Sequence, residues 1–176
     1  GLESALFGRM VTSDPEANVD APVHVAHAFT VHGIERELDY VTAVDDLRSR
    51  GDADQEAAAE AAGLFDIDLT SGLFYLYVTV DLTLLVANLG DDADLAARVA
   101  DRLIRLIAQT SPGAKKGSTS PYSRAEFLLV EFGDEQPRTL ANAFRRPVPL
   151  NGDVYARTME ALGDHLANLD RAYGNT

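Results

Sequence analysis

Residues 72–80 read Gly-Leu-Phe-Tyr-Leu-Tyr-Val-Thr-Val, a nearly continuous apolar and aromatic run that Asp81 follows directly. A run of this kind, bounded by glycine and aspartate, favours a central strand that is covered on both faces. The Asp81 side chain can cap the first turn of a helix, and Gly90 can end that helix. The stretch therefore predicts a strand followed by a short helix.

Downstream of this stretch, the sequence predicts two longer helices and another strand. A second helix starts near Asp92 or Asp94 and stops at residues 111–113, and a final helix runs from Asp153 to Tyr173. Between them, residues 126–132 (Glu-Phe-Leu-Leu-Val-Glu-Phe) predict a strand. The order strand, helices, strand is typical of the βαβ half of a mixed sheet, so we predict an α+β fold.

Upstream of residue 72, the pattern changes to strand periodicity. Residues 23–31 alternate with Val23, Val25, His27, Phe29 and Val31 on one parity. A polar stretch at residues 33–39 precedes a β-branched, apolar segment at residues 40–44. This arrangement suits a projecting, hairpin-like arm.

Length and composition predict one compact domain. The chain has 176 residues, is 46% hydrophobic and contains no cysteine, which excludes disulfides and thiolate metal sites and fits a reducing compartment. We find no apolar stretch long enough to span a bilayer and therefore expect a cytoplasmic protein without a membrane partner. Because residue 1 is glycine and an apolar run follows at once, we also expect upstream sequence in the natural protein.

The charge argues against nucleic-acid binding at first sight. The net charge is −13, whereas phosphate contact needs a basic surface. Much of the acid lies in residues 45–60 and 91–94, however, and basic residues recur as small clusters. The charge distribution is therefore compatible with an acidic exterior that surrounds a locally basic groove.

The histidines and aspartates allow a metal-dependent hydrolase as an alternative. An HxxH spacing places His24 and His27 on one face of a helix, but the predicted strand places them on opposite faces. In an extended chain, His24 and His32 lie roughly 27 Å apart at about 3.3 Å per residue. The pairs Asp45-Asp46 and Asp66, Asp68 read equally well as turn caps or wet strand positions, and no nucleophile elbow or Walker loop occurs. We expect no catalytic residue, no metal and no cofactor.

A loop at residues 113–119 offers a phosphate contact. It contains Lys115 and Lys116 among glycines and hydroxyl side chains, which suits a loop that grips a nucleic-acid backbone without reading sequence. A solvated connector explains the same residues. The Arg145-Arg146-Pro147 string is equally ambiguous, because it can bind phosphate or merely end an element.

Several strings, taken together and in order, resemble the CasC-type backbone subunit of the type I-E CRISPR surveillance complex, Cascade. The similarity spans essentially the whole chain. The strings are Ala5–Met10, Val19–Ala21, Val25–Ala28, Asp39–Leu47, Ser71–Tyr75, Asn88–Gly90, Pro112–Lys115 and Leu140–Phe144.

The resemblance implies a fold and a set of RNA contacts. It implies a modified RNA-recognition-motif (ferredoxin-like) palm, flanking finger helices and a protruding thumb at residues 23–50. The whole chain, residues 1–176, would be an N-terminally truncated palm and thumb. The RNA-binding positions would be Met10, Tyr40, Val41 and Val44, with Arg9 as the neighbouring phosphate contact and Lys115 and Lys116 from the loop described above.

The resemblance further implies a non-catalytic scaffold. Copies of the subunit would line up along CRISPR RNA, contact each other and the other Cascade subunits, and present the guide for pairing with target DNA. Two other hypotheses stay open: the metal-dependent hydrolase, and an acidic protein-interaction module that binds no nucleic acid.

Overall fold

The structure is a computed structural model that describes residues 1–42, 64–111 and 121–174, with only the backbone described at residues 38–42, 64–67 and 69. The described elements mix helices with short strands, so the predicted α+β class is confirmed. The helices are α1 (Leu2–Phe7), α2 (Leu82–Asn88), α3 (Ala93–Gln109) and α4 (Val154–Tyr173), with 3-10 turns at Pro15–Ala17 and Ala141–Phe144. The strands are β1 (Val23–Val25), β2 (Phe29–Thr30), β3 (Glu35–Thr42), β4 (Leu64–Ser71), β5 (Phe74–Tyr75) and β6 (Val78–Val80).

The described strands pair in three separate antiparallel pairs, β1 with β6, β2 with β5, and β3 with β4. The chain divides into two compact units, each built from separate stretches of sequence. Unit 1 comprises Gly1–His27 and Leu76–Thr139, and unit 2 comprises Ala28–Tyr75 and Leu140–Asn175. The pair β1–β6 lies in unit 1, and the other two pairs lie in unit 2.

Aspartate side chains cap the N-termini of three helices, as the sequence predicts. Each carboxylate accepts a hydrogen bond from a backbone N–H in the first turn, which satisfies a donor that the helix leaves unpaired. The pairs are Asp81 with Leu84 (2.9 Å), Asp92 with Leu95 (2.8 Å) and Asp153 with Ala156 (3.0 Å). Among the residues that the structure describes, no helix has the length and apolar character needed to cross a membrane.

Unit 1 has a small core around Leu85, which is fully buried. Its neighbour Asn88, at the end of α2, donates one hydrogen bond to the Ala5 carbonyl (3.1 Å) and another to the Asp20 carbonyl (2.9 Å). One side-chain amide thus fixes α1 and the segment before β1 against α2.

Unit 2 has a core of Val31, Phe144 and Val148. Three aromatic rings extend it: the Phe29 and Tyr75 ring centroids lie 5.3 Å apart, and each also contacts Phe144, at 6.4 and 5.7 Å. Offset aromatic contacts of this kind add stabilisation beyond the buried area. The Tyr75 hydroxyl is also satisfied, since it accepts a hydrogen bond from the Leu140 N–H at 3.0 Å.

His32 joins three backbone segments of unit 2. Its Nδ1 lies 2.7 Å from the Gly33 carbonyl oxygen, and its Nε2 accepts a hydrogen bond from the Leu73 N–H at 3.0 Å. This pattern requires the tautomer with its proton on Nδ1. His32 also forms a parallel bridge with Val148, and its ring is buried.

Three strand predictions need correction. Residues 72–80 form two short strands, β5 and β6, and none of their side chains is fully buried, so a continuous central strand covered on both faces is wrong. The run at residues 23–31 is likewise split into β1 and β2. Pairing explains both breaks, because β1 and β6 pair in one unit and β2 and β5 pair in the other.

The third correction concerns residues 126–132, which form no strand. Their apolar side chains are exposed, and the described part of the chain provides no strand to pair with them. The polar stretch shows the opposite difference. Its residues 35–39 have no strand pattern in the sequence, yet they belong to β3. Its partner β4 supplies the ladder of hydrogen bonds that local propensity does not.

Substitution of Gly72 by alanine should destabilise unit 2. A Cβ there would lie 2.8 Å from both Cε1 and Nε2 of His32, so the ring must move and weaken its bond to Leu73. We expect the free energy of unfolding to fall by about 1–3 kcal/mol, measured by urea denaturation.

The control is Gly163→Ala within α4, where nothing lies within 4 Å of the added Cβ. The same chemical change should there raise the free energy of unfolding by about 0.5–1 kcal/mol, because alanine favours the helix. Equal effects of the two substitutions would contradict the assigned role of His32.

Candidate nucleic-acid interface

The candidate site starts where α1 ends. Gly8 turns the chain with a φ of 74°, and a Cβ at this position would lie 2.7 Å from the Val19 carbonyl oxygen. Both the positive φ and the close approach require glycine. The turn lets two backbone segments form an isolated antiparallel bridge. The Arg9 N–H donates to the Val19 carbonyl at 2.8 Å, and the Val19 N–H donates to the Arg9 carbonyl at 2.9 Å.

The loop that follows is anchored on both sides of Met10. Arg9 precedes it in the backbone pair, and the Val11 N–H donates a hydrogen bond to Oδ1 of Asn18 at 2.7 Å. A 3-10 turn at Pro15–Ala17 closes the loop. The Met10 side chain is 84% exposed. A fixed backbone therefore presents a large apolar side chain to solvent.

An open hollow of about 290 Å³ lies beside this loop, lined by residues 7–10 and 18–21. Phe7, which is 54% exposed, contributes an aromatic ring, and Arg9 contributes a guanidinium. Among the described residues, no carboxylate forms an ion pair with Arg9, so its charge is available to a ligand.

The charges of the hollow favour an uncharged group inside it. Asp20 also lines the hollow, and its carboxylate would repel a phosphate placed there. A nucleobase avoids that repulsion and can contact the apolar side chains of Phe7 and Met10. Arg9, which also lines the hollow, offers a positive charge to the phosphate of that base.

Two other arginines already bind carboxylates, and two more have exposed side chains. The hydrogen bond from Arg105 lowers the pKa of the Asp101 carboxyl, with Nε and Oδ2 2.9 Å apart. Arg138 holds Glu131 at 2.6 Å with a second contact at 3.1 Å. Arg145 and Arg146 are exposed and form no hydrogen bond or ion pair through their side chains within the described ranges.

The structure brings together two of the seven RNA-binding positions predicted from sequence, Arg9 and Met10. The backbones of Tyr40 and Val41 lie in β3, opposite Asp66 and Phe65 of β4. Val44, Lys115 and Lys116 lie outside the described residues. The roles of all seven remain predictions.

The three histidines of the hydrolase hypothesis, His24, His27 and His32, do not form a shared site. His24 lies in β1 opposite Thr79, and both His24 and His27 are exposed. The two ring nitrogens of His32 are both occupied by backbone partners. Within the described ranges, no three His, Asp or Glu side chains form a group that could hold a metal ion.

Sequence reasoning missed Phe7 and Asn18 as members of the site. Phe7 reads as part of the apolar face of α1, and Asn18 as an ordinary turn residue. The signal that could have found them is Gly8, because a glycine directly after a helix indicates a sharp change of direction that can expose its neighbours.

Comparison with solved structures shows that this chain is similar to chains of CRISPR surveillance complexes. One chain, described as "CRISPR RNA-guided surveillance complex, pre-nicking", matches with a TM-score of 0.79 and 28% identity over 99% of this chain. Another, described as "CRISPR RNA-guided surveillance complex", matches with a TM-score of 0.75 and 28% identity over 99% of this chain. The matches span only 46% and 64% of those two chains.

The family follows from the sequence itself. The sequence model of the CT1975-like protein family matches residues 1–176, so this chain belongs to that family. No curated protein matches the sequence.

Substitution of Asn18 tests the loop geometry. Asn18→Ala removes the acceptor of the Val11 N–H, so hydrogen exchange of the Val11 amide should accelerate and the loop should lose about 1 kcal/mol of local stability. Asn18→Asp is the matched control, because it keeps an oxygen acceptor and should preserve protection. Equal exchange of Val11 in both variants would contradict the anchoring of the loop.

Proposed function

We propose that this chain is a large C-terminal piece of a non-catalytic, CRISPR RNA-binding scaffold subunit, the CasC-type backbone protein of a type I-E Cascade complex. The observation that carries the proposal is the anchored loop that exposes Met10 beside Arg9, which forms no ion pair with any described residue. Family membership and the likeness to chains of CRISPR surveillance complexes support it. A cytoplasmic location and the absence of a cofactor belong to the same proposal.

The chemistry of the loop suits a scaffold that accepts any guide sequence. Met10 and Phe7 offer apolar surface that every base can contact, and Arg9 offers a charge for the phosphate backbone. Lys115 and Lys116 add further positive charges that contact the phosphates of the RNA backbone. None of these groups distinguishes one base from another, so guide pairing alone reads the target DNA.

The thumb is the arm that carries Tyr40, Val41 and Val44, within residues 23–50. The antiparallel ribbon of β3 and β4 supports this part of the proposal, since eight residues of each strand pair in one register. Within this ribbon, the described side chains, at residues 35–37, 68, 70 and 71, are all exposed. The described end of the ribbon is therefore exposed on both faces, which suits contact with RNA and with a neighbouring copy.

The palm has the modified RNA-recognition-motif architecture, and the natural subunit is longer than these 176 residues. The order β6, α2, α3 supports the first statement, because a strand followed by helices matches the first part of a strand, helix, strand half of such a palm, although residues 126–132 form no strand. The partial coverage of the two solved chains supports the second. Copies of the subunit line up along the guide and contact the other subunits of the complex.

Salt-dependent binding of CRISPR RNA tests the proposal. For single strands, the slope of log K against log salt changes by about 0.7 for each phosphate contact. We therefore expect the double variant Arg9→Glu, Lys115→Glu to reduce the slope of the complete subunit by about 1.4 and to weaken binding.

The control is the double variant Arg105→Glu, Arg171→Glu, which makes the same change in net charge. Both arginines bond to neighbours within their own helices, Asp101 and Asn168, and should leave the slope unchanged. Absence of RNA binding by the complete subunit even at low salt would sink the proposal. It would favour instead the acidic protein-interaction module that the charge of −13 suggests.

A further inference from the structure

The segment at residues 122–125 is attached to the C-terminal end of α3 by both of its ends. The Tyr122 N–H donates a hydrogen bond to the hydroxyl of Ser111, just beyond the helix, at 2.9 Å. The Ala125 N–H donates to the carbonyl of Ala108, in the last turn of the helix, at 2.8 Å. The backbone between these two bonds therefore has a defined path.

Tyr122 has a strained backbone within this segment. Its φ is 80°, a left-handed conformation that is an outlier for a bulky side chain and costs free energy. Glycine adopts the same conformation without that cost and would donate the same backbone hydrogen bond to Ser111. The path of the backbone therefore does not explain why this position carries a tyrosine.

Packing within the described ranges does not explain the tyrosine either. Tyr122 is 68% exposed, and its ring contacts no other aromatic ring among the described residues. The hydrogen bond to Ser111 comes from its backbone, and within the same ranges its hydroxyl has none. Strained residues cluster at ligand clamps, where the strain holds a side chain ready for its ligand. The exposed ring is therefore available to a ligand.

The residues that follow Tyr122 have the chemistry of a nucleic-acid contact. Ser123 and Arg124 are both exposed, and no described carboxylate forms an ion pair with Arg124. An aromatic ring stacks on any base, and a guanidinium binds a phosphate through two N–H donors. The exposed carboxylate of Glu126 follows, so the local charges favour one phosphate at Arg124 rather than a run of phosphates.

The loop that presents Met10 has the same combination of features. There, an anchored backbone exposes Phe7 and Met10 beside Arg9, which lacks an ion-pair partner among the described residues. Here, an anchored backbone exposes Tyr122 beside Arg124. Both segments belong to unit 1, but the first follows α1 and the second follows α3.

We propose that Tyr122 and Arg124 form a second contact for single-stranded nucleic acid, in which one base stacks on the tyrosine ring and its phosphate binds the guanidinium. The strained and anchored backbone preorganises the ring, so less entropy is lost when the base binds. The contact reads no sequence, because every base has a π-face. The inference rests on the proposed function, in which the guide RNA or the target DNA supplies the strand.

A protein partner fits this surface less well. Tyrosine and arginine are common at protein interfaces, but there they lie in a patch from which the surrounding residues exclude water. The neighbours Ser123 and Arg124 are polar and exposed, and a protein that buried Arg124 would need to supply a carboxylate for it.

Tyr122→Gly distinguishes a ligand contact from a structural role. Glycine relieves the positive φ, so the Tm of the complete subunit should rise by about 2 °C or more. Affinity for the strand should nevertheless fall roughly 5- to 100-fold, because the stacked base loses its platform. Tyr122→Phe keeps the ring and should bind as the unsubstituted subunit does. A lower Tm with unchanged affinity would show that the tyrosine is structural and would overturn the inference.

The matched control is Tyr173→Gly, at the end of α4 in unit 2. Tyr173 is 81% exposed, so the same change removes an equally accessible ring from another place. Affinity for the strand should stay unchanged. An equal loss of affinity in both variants would mean that the position of the ring is irrelevant, contrary to the proposal.

Arg124→Gln tests the phosphate contact separately. The slope of log K against log salt should fall by about 0.7, the value for one phosphate of a single strand, whereas Tyr122→Gly should leave the slope unchanged. Arg171→Gln is the control, because Arg171 bonds to Asn168 within α4. A slope for Arg124→Gln equal to that of the unsubstituted subunit would remove Arg124 from the site.

The source of the strand is identified by two binding measurements, guide RNA with the complete subunit and target DNA with the guide-loaded complex. Weaker binding of Tyr122→Gly to guide RNA assigns the contact to the guide, and weaker binding to the DNA alone assigns it to the target. Full affinity in both measurements, or a defect only in assembly with other subunits, overturns the inference. If the unsubstituted subunit binds no RNA, the proposed function fails as well, whereas RNA binding that Tyr122→Gly and Arg124→Gln leave intact removes the second contact alone.

Discussion

The backbone pair between Arg9 and Val19 is the constraint on which the candidate site depends. It forms because Gly8 adopts a positive φ and approaches the Val19 carbonyl oxygen so closely that an added Cβ would lie 2.7 Å from it. Once the pair exists, Arg9 and Met10 project from a loop with a fixed entrance, and Asn18 fixes the exit. Preorganised contacts bind with less loss of entropy than contacts on a free segment.

The same geometry is compatible with the RNA-binding role proposed for this acidic chain. A net charge of −13 weakens long-range attraction to RNA, so the proposed binding would depend on local contacts. Arg9, Asp20 and the apolar residues Phe7 and Met10 all line the hollow. Under the proposed function, Asp20 would repel a phosphate placed there, and the apolar side chains would contact a base. Recognition of this kind depends on backbone and shape, which is what a scaffold for arbitrary guides requires.

Local features were predictable from the sequence, and long-range pairing was not. Asp81, Asp92 and Asp153 cap their helices because the cap and its partner lie three residues apart. Residues 126–132 are mostly apolar and aromatic residues, which favour a strand. A strand nevertheless exists only when another segment pairs with it. Arg9 and Met10 were identified by resemblance, whereas Phe7 and Asn18 emerged only when the structure brought residues 7–10 and 18–21 together.

The most direct test of the central claim is ultraviolet cross-linking of RNA to the assembled complex, followed by mass spectrometry, with two guides of unrelated sequence. The account predicts cross-links to the peptide at residues 7–20, from evenly spaced guide nucleotides, with both guides. Cross-links that are absent from this peptide, or that follow nucleotide identity from guide to guide, would contradict it.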